Sequence, residues 1–350
     1  MGDRDRGPAI EIACDESGSE GEKLIGATTD VFAHASVGFD LPTATRCMQE
    51  IRRRAPTPAQ LYKANHILRE KNRAALEWML GAGGPLAGHT RVYLADKAFL
   101  VVGKVVDLLL DGPGGSAWIG LRQSPHARSM TLTLYREGRR VFAREPWEAF
   151  LLASNNLMRL RNRRGMRTSV DSFFRMVEIL RSTDPPSAVD EVLALLQGTR
   201  RHADAFRESL VDEPVALSAL DPLIPALVSA VEAWGQGITP VSIVHDRQTT
   251  LSEQRIAQLA GLFTDPAPGL LGYVPHGRLA GLRLVASQAD PRLQIADVLA
   301  GAVRKAASDE LNGRGDPVLT ALLRPFVDTA SIWGDDRSWA LLGPVSPIGS

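Results

Sequence analysis

The stretch IEIACDESGS at residues 10–19 decides the fold class, because it joins an apolar run of strand length to an abrupt acidic turn. IEIAC is apolar enough for a buried strand, and the Ser and Gly residues after Asp15 and Glu16 are typical of a turn. The next stretch, LIGATTDVFAHASVGF at 24–39, is rich in Thr, Val and Phe. It predicts one or two strand pieces that pair back on the first strand as a hairpin.

Strand patterns followed by helix patterns recur further along the chain. TRVYLADK at 90–97 predicts a strand that runs into the buried helix AFLVVGKVVDLLL. TPVSIVHDRQTT at 239–250 predicts a strand before the helix LSEQRIAQLAGLF, and GLRLVAS predicts another before a last long helix. Thr57 and Pro58 predict the start of an additional helix that ends at the Gly cluster of 81–84. This alternation predicts an α/β fold.

The middle of the chain differs from this pattern. Residues 145–235 predict one helix after another, whereas MTLTLYREGRRVF just before them fits either a helix or a strand. We therefore expect a large helical insertion within an α/β core. The predicted division is 1–125 for the N-terminal part of the core, 126–237 for the mostly helical insertion, 238–310 for the C-terminal part of the core and 311–350 for a tail.

Composition excludes several classes of protein. The 350 residues carry 40 Lys and Arg against 40 Asp and Glu, so the formal net charge is zero and a uniformly basic nucleic-acid coat is excluded. Two cysteines, Cys14 and Cys47, are too few for a disulfide scaffold or a thiolate zinc site, and we expect them to be core thiols. The N-terminus has no apolar signal-peptide core, and no run reaches the ~20 apolar residues of a membrane span. These features predict a cytoplasmic protein without a membrane partner.

Acidic residues at the ends of predicted strands are the sharpest chemical pattern. Asp15, Asp96 and Asp246 each follow an apolar strand, and ligands of open α/β sheets bind outside the carboxyl ends of the strands. Asp297 lies in the apolar helix IADVLAGAV, where a carboxylate needs a partner or a metal. Clustered carboxylates favour a hard cation such as Mg²⁺ or Mn²⁺. Two such ions about 4 Å apart would support phosphodiester hydrolysis.

Each of these acids also has a purely structural interpretation. An acid after a strand is often part of an Asx turn or a helix N-cap, which applies to Asp96 and Asp246 and less well to Asp15. Asp297 could instead form a salt bridge with Arg304 or another arginine. His245 could support the site, act as a general base or lie on the surface.

Two arginine runs predict contacts with phosphates if they border the acidic crevice, and solvated faces otherwise. The first comprises Arg52, Arg53 and Arg54, and the second lies within LMRLRNRRGMRT at 157–168. No P-loop, nucleophile elbow or HExxH zinc motif is present, which argues against the enzyme classes that depend on them.

Four short motifs, in order along the chain, resemble those of a large uncharacterised bacterial family, the domain-of-unknown-function family numbered thirty-eight hundred. They are DESGS at 15–19, DK at 96–97, VHD at 244–246 and LQIADVLAG at 293–301, so that the resemblance spans about 10–115 and 239–307. It implies a ribonuclease-H-like fold and metal-dependent nuclease chemistry. The residues that it marks are Asp15, Glu16, Asp246, Gln294 and Asp297, together with Asp96 and Lys97.

The chain departs from this family at one point. Family members often carry a Glu-x-Lys or Glu-Leu-Lys on the first long helix, and that Glu is commonly a metal ligand in ribonuclease-H-like enzymes. Here the segment is Gln60-Leu61-Tyr62-Lys63, so the Lys is present and the acid is missing. Full two-metal activity would then require Glu16 or Asp96 as a substitute.

These observations favour a metal-dependent nuclease or related phosphodiesterase with a ribonuclease-H-like core. The expected metal ligands for Mg²⁺ or Mn²⁺ are Asp15, Asp246, Asp297 and Asp96, and the expected catalytic residues are Asp15, Glu16, Asp246, Asp297, Lys63 and Lys97. The expected substrate-binding residues are Gln294, Arg159, Arg161, Arg163 and Arg164. One alternative is a degenerate, non-catalytic member that binds nucleic acid or a protein. Another is a hydrolase or transferase acting on a small phosphorylated or glycosylated metabolite.

Overall fold

The computed structural model describes residues 8–110, 124–159, 166–212, 218, 220–264 and 275–344. Five strands form one mixed sheet in the order β3-β2-β1-β4-β5. They are β1 (Ile10–Ser17), β2 (Val31–Val37), β3 (Thr90–Asp96), β4 (Val241–Asp246) and β5 (Leu279–Val285). β2 runs antiparallel to both of its neighbours, whereas β1, β4 and β5 are parallel to one another. The α/β class and the N-terminal hairpin predicted from the sequence are therefore confirmed.

Helices surround this sheet and make up most of what the structure describes between β3 and β4. The first group is α1 (Leu41–Arg54), α2 (Ala64–Ile67), α3 (Arg73–Leu80) and α4 (Lys97–Leu110). The middle of the chain, so far as it is described, contains α5 (Pro125–Val141), α6 (Arg144–Met158), α7 (Met166–Arg181), α8 (Ser187–Gln197), α9 (Arg200–Asp212) and α10 (Leu223–Gly235). The remainder is α11 (Glu253–Thr264), α12 (Pro291–Leu311), α13 (Pro317–Leu323) and α14 (Asp336–Leu342).

The predicted helix from Thr57 to the Gly cluster is wrong in its first part. The first long helix is α1, which begins where the Asp40 carboxylate accepts a hydrogen bond from the Thr43 amide at 2.7 Å and Pro42 occupies the first turn. Residues 55–63 are not helical, and α2 and α3 are short. The apolar residues from Leu61 onward therefore do not form one face of a continuous helix. They are buried positions of a segment that is interrupted between short helices. Lys63 therefore stands just before α2, outside any helix.

The two faces of the sheet are covered differently, and this difference positions the candidate site. α12 crosses one face against β1 and β2, with α1 and α2 beside it. The other face is covered by α4 and α10, and α4 in turn packs on α5 and α6. Buried residues of the sheet, α4 and the middle helices belong to one hydrophobic cluster, exemplified by Phe32, Val102, Leu134 and Phe173. The middle helices therefore share a core with the sheet.

Candidate functional site

Side-chain alternation along β1 and β4 brings two of the expected ligands to the same face of the sheet. Ala13 of β1 and Val244 of β4 pack together with Leu293 at the start of α12. Successive side chains of a strand point to opposite faces, so Asp15 and Asp246, each two residues further on, lie on this face as well. β1 and β4 are parallel neighbours, and both carboxylates therefore lie toward the same end of the sheet.

Asp297 of α12 completes this group of acids. Its Oδ1 forms a salt bridge with Lys63 Nζ at 3.1 Å, whereas its Oδ2 is buried and has no hydrogen-bond partner among the described residues. The salt bridge with Arg304 that the sequence left open does not form, since the Arg304 guanidinium donates to Ser17 instead. Asp15, Asp246 and Asp297 are called the carboxylate cluster below.

The members of the carboxylate cluster repel one another. Burial, followed by the negative charges of Glu16, Asp297 and Asp246, raises the pKa of Asp15 to about 8. Burial also raises the pKa of Asp297, although Lys63 opposes this shift and Asp246 adds to it. Burial acts to lower the pKa of Lys63, but the nearby carboxylates outweigh it and the net shift is upward. Lys63 is half-exposed, and it alone does not balance three acids.

Glu16 lies on the opposite face from Asp15, because it is the next residue in the strand. Its Oε2 lies 3.6 Å from His245 Nε2, and it is directly opposite His34 of β2 in the antiparallel register. Burial raises the pKa of Glu16 to about 7, with Asp221 contributing next. Burial lowers the pKa of His245 to about 4. This second buried polar group thus contains Glu16, His245, His34 and Asp221.

Sequence reasoning missed His34 and Asp221. Alternation along VFAHASV would have placed His34 on one face of its strand, but the face that carries Glu16 depends on the register of the hairpin. Asp221 caps the backbone before α10, where its Oδ1 accepts from the Leu223 amide at 3.1 Å. Its approach to Glu16 arises from the packing of α10 on the sheet and has no signal in the local sequence.

The structure does not bring Asp96 and Lys97 to the carboxylate cluster. β3, which ends at Asp96, is separated from β1 by β2. Asp96 is almost fully buried and accepts hydrogen bonds from the Ala98 and Phe99 amides at 3.0 and 3.1 Å and from the Tyr135 hydroxyl. It therefore caps α4, which is the structural alternative that the sequence had left open. Lys97 Nζ donates to the carbonyl and hydroxyl oxygens of Thr29 at 2.8 and 2.7 Å.

The expected substrate-binding residues are dispersed. Gln294 lies one helical turn before Asp297, accepts from Arg52 at 3.3 Å and donates to the Ser287 carbonyl at 3.3 Å. The Arg159 carbonyl accepts from Arg207 at 2.7 Å, near the end of α6. Arg161, Arg163 and Arg164 lie outside the described residues.

Within the described ranges, no three His, Cys, Asp or Glu side chains are grouped closely enough to hold one metal ion. The acids of the carboxylate cluster are close enough to shift one another's pKa values, but their side chains are not arranged as a preformed metal site.

The described helices include none that is long and apolar enough to cross a membrane. No protein-family model, curated protein or solved structure matches the chain. The motif resemblance therefore stays a prediction.

Proposed function

We propose that the chain is a metal-dependent nuclease or related phosphodiesterase with a ribonuclease-H-like core. The order β3-β2-β1-β4-β5, with β2 antiparallel to the other strands, is typical of that fold and supports the proposal. Asp15, Asp246 and Asp297 occupy β1, β4 and α12 here.

The observation that carries the proposal is the placement of Asp15, Asp246 and Asp297 at one end of the sheet and on the helix that covers it, with Lys63 the one residue in an ion pair with them among the described residues. Acids that are buried beside one another destabilise the fold when they ionise. Groups of such acids are therefore found mainly at functional sites. A hard divalent cation is the partner that such a set of oxygen atoms favours. The buried and unpartnered Oδ2 of Asp297 fits this interpretation.

In this proposal Asp15, Asp246 and Asp297 would hold Mg²⁺ or Mn²⁺, and Glu16 would support the site from the other face of the sheet. A bound divalent ion makes water a better nucleophile and stabilises the charge that develops on phosphate oxygens. Lys63 lies half-exposed beside Asp297 and would contact a phosphate bound there. His245, whose Nδ1 lies 2.9 Å from the Asp246 carbonyl, holds its ring beside Glu16.

Metal binding is tested by a thermal melt with and without Mn²⁺. The ion should raise the melting temperature of the wild type by mass action, and Asp15→Asn should lose most of that rise. Glu253→Gln, at the exposed start of α11, serves as the control and should respond as the wild type does. Equal shifts in the wild type and in Asp15→Asn would count against Asp15 as a ligand. Cleavage of a labelled single strand and a labelled duplex in Mg²⁺ or Mn²⁺ then tests the activity.

A second candidate is a non-catalytic member that binds phosphate groups. The Lys63–Asp297 salt bridge favours it, because Lys63 already supplies part of the charge that a metal would supply. The missing acid in Gln60-Leu61 favours it as well. Binding of nucleic acid without cleavage in either metal would select this candidate.

A further inference from the structure

Arg304 lies beside the loop that follows β1, and its guanidinium is largely uncommitted. Its Nε donates to Ser17 Oγ at 2.9 Å, and no carboxylate in the described part of the chain forms a salt bridge with it. Its stem passes close over Gly18: a Cβ on that glycine would lie 2.8 Å from Arg304 Cδ and 2.5 Å from the Val31 carbonyl oxygen. With φ at +84°, Gly18 is the residue that this turn and this approach require.

Lys97 places a second cation close to Arg304. Its Nζ is buried and bonded to Thr29, whose hydroxyl in turn lies 3.5 Å from the Gly18 carbonyl oxygen. Burial lowers the pKa of Lys97 to about 8, and the positive charge of Arg304 contributes to that shift.

The two acids that act on Lys97 are already engaged. The Glu20 carboxylate accepts from the amide and hydroxyl of Thr28, and Asp30 accepts from Ser308 and Asn312 at 2.6 Å each. The end of β1 therefore carries two neighbouring cations, neither of which has a salt-bridge partner among the residues that the structure describes.

Arg304 also lies in line with the carboxylate cluster. Asp297, Gly301 and Arg304 are spaced by four and three residues, so they share one face of α12. Gly301 sits close to Ser17, since a Cβ there would be 4.0 Å from Ser17 Oγ. At a rise of 1.5 Å per residue, Arg304 lies roughly 10 Å beyond Asp297 along the helix axis.

We propose that Arg304, anchored by Ser17 and backed by Lys97, binds a phosphate group of the substrate next to the carboxylate cluster. The guanidinium presents a planar fork of N–H donors that matches phosphate oxygens, and Lys97 adds positive charge without contacting solvent. The favoured source of the phosphate is the backbone of a nucleic-acid strand, because its successive phosphates would reach Arg304 and the carboxylate cluster at the same time. This inference rests on the proposed function for the identity of the carboxylate cluster, but its test is independent of cleavage.

The test measures binding of a labelled single strand and a labelled duplex in the presence of EDTA. Arg304→Ala should weaken binding about tenfold and lower the dependence of log affinity on log salt by about one, as expected for one lost phosphate contact. Arg304→Lys should recover part of the affinity, because it restores the charge without the fork. Lys305→Ala is the matched control, since Lys305 is exposed on the same helix and pairs with Asp309.

Ser17→Ala provides a second variant that keeps the cation but removes its anchor, and it should weaken binding less than Arg304→Ala. Each variant is first compared with the wild type by its melting temperature. Strand binding that is equally strong in Arg304→Ala and Lys305→Ala would overturn the inference, and so would a wild type that responds neither to a strand nor to inorganic phosphate.

Two further arms separate the sources of phosphate and the two proposals. If inorganic phosphate stabilises the wild type but not Arg304→Ala, and no strand binds, the site serves a small phosphorylated molecule. If a strand binds through Arg304 but is not cleaved in Mg²⁺ or Mn²⁺, the inference holds and the proposed nuclease activity fails. If cleavage occurs and its KM is unchanged in Arg304→Ala, the inference fails and the nuclease activity stands.

Discussion

Asp15 and Glu16 are adjacent in the sequence, yet they work in different surroundings because a strand turns successive side chains to opposite faces. Asp15 faces α12 and the other members of the carboxylate cluster, whereas Glu16 faces His245 and Asp221. A pair of acids at a strand end can thus serve two polar groups on the two sides of one sheet.

Asp15 should make the metal-free protein less stable as the pH rises. Its pKa is about 8 in the folded protein and near 3.8 in the unfolded chain. An acid whose pKa is raised by folding stabilises most below the unfolded pKa, and this contribution is lost as the pH rises toward 8. The stability of Asp15→Asn relative to the wild type should therefore increase between pH 5 and pH 8, by on the order of 2 kcal/mol in free energy of unfolding.

Chemical denaturation in EDTA at pH 5, 6.5 and 8 measures this difference. Glu253→Gln, which removes an exposed acid, should follow the wild type over the same range. If the difference in free energy of unfolding between Asp15→Asn and the wild type is the same at all three pH values, folding does not raise the pKa of Asp15.

At the scale of elements, the strands were predictable and several helices were not. Apolar runs that end in an acid located β1, β3 and β4, because a buried strand is short and uniformly apolar. α1 went unrecognised although its buried residues Ala44, Cys47, Met48 and Ile51 follow the i, i+3, i+4, i+7 spacing of an amphipathic helix. The ion pair between Lys63 and Asp297 could not be foreseen either, since it depends on a non-helical segment packing on α12.

Gly301 sets the distance between α12 and α2. A Cβ at Gly301 would lie 2.2 Å from the Cβ of Ala64, which immediately follows Lys63. Gly301→Ala should therefore push α2 outward and destabilise the protein by about 1–3 kcal/mol, despite the better helix propensity of Ala. It should also weaken the Lys63–Asp297 salt bridge and change the Mn²⁺-dependent thermal shift.

Gly261 of α11 is a matched control, because a Cβ there would meet nothing within 4 Å. Gly261→Ala should raise the free energy of unfolding by up to about 1 kcal/mol through helix propensity alone. If urea denaturation shows that Gly301→Ala also raises the free energy of unfolding, then α2 moves to accommodate the added methyl group. In that case Gly301 does not set the distance between α12 and α2.

At the scale of the whole molecule, a net charge of zero conceals an uneven distribution of charge. Acids gather around the ends of β1 and β4, while Arg304 and Lys97 lie beyond them at the turn after β1. The sequence indicated the acids by their positions after strands, and it indicated the helical middle by its pattern. It could not show that the middle helices share the core of the sheet, because that depends on which face α4 covers.

The arginine run after α6 gives the prediction that separates binding from chemistry. Arg161, Arg163 and Arg164 lie outside the described residues, so the expectation comes from their sequence alone. If they contact phosphates, replacing all three by Ala should weaken the binding of any strand, whatever its sequence, and should flatten its salt dependence. Asp246→Ala should instead keep the binding and abolish Mn²⁺-dependent cleavage, since it removes a metal ligand and no phosphate contact.

Both variants are measured on one labelled single strand and one labelled duplex over a range of salt concentrations. The double variant Arg200→Ala with Arg201→Ala, on the exposed start of α9, controls for the loss of positive charge as such and should bind like the wild type. A triple variant with wild-type affinity and an unchanged salt slope would assign the run to a solvated face. Cleavage that survives Asp246→Ala would remove Asp246 from the expected metal ligands.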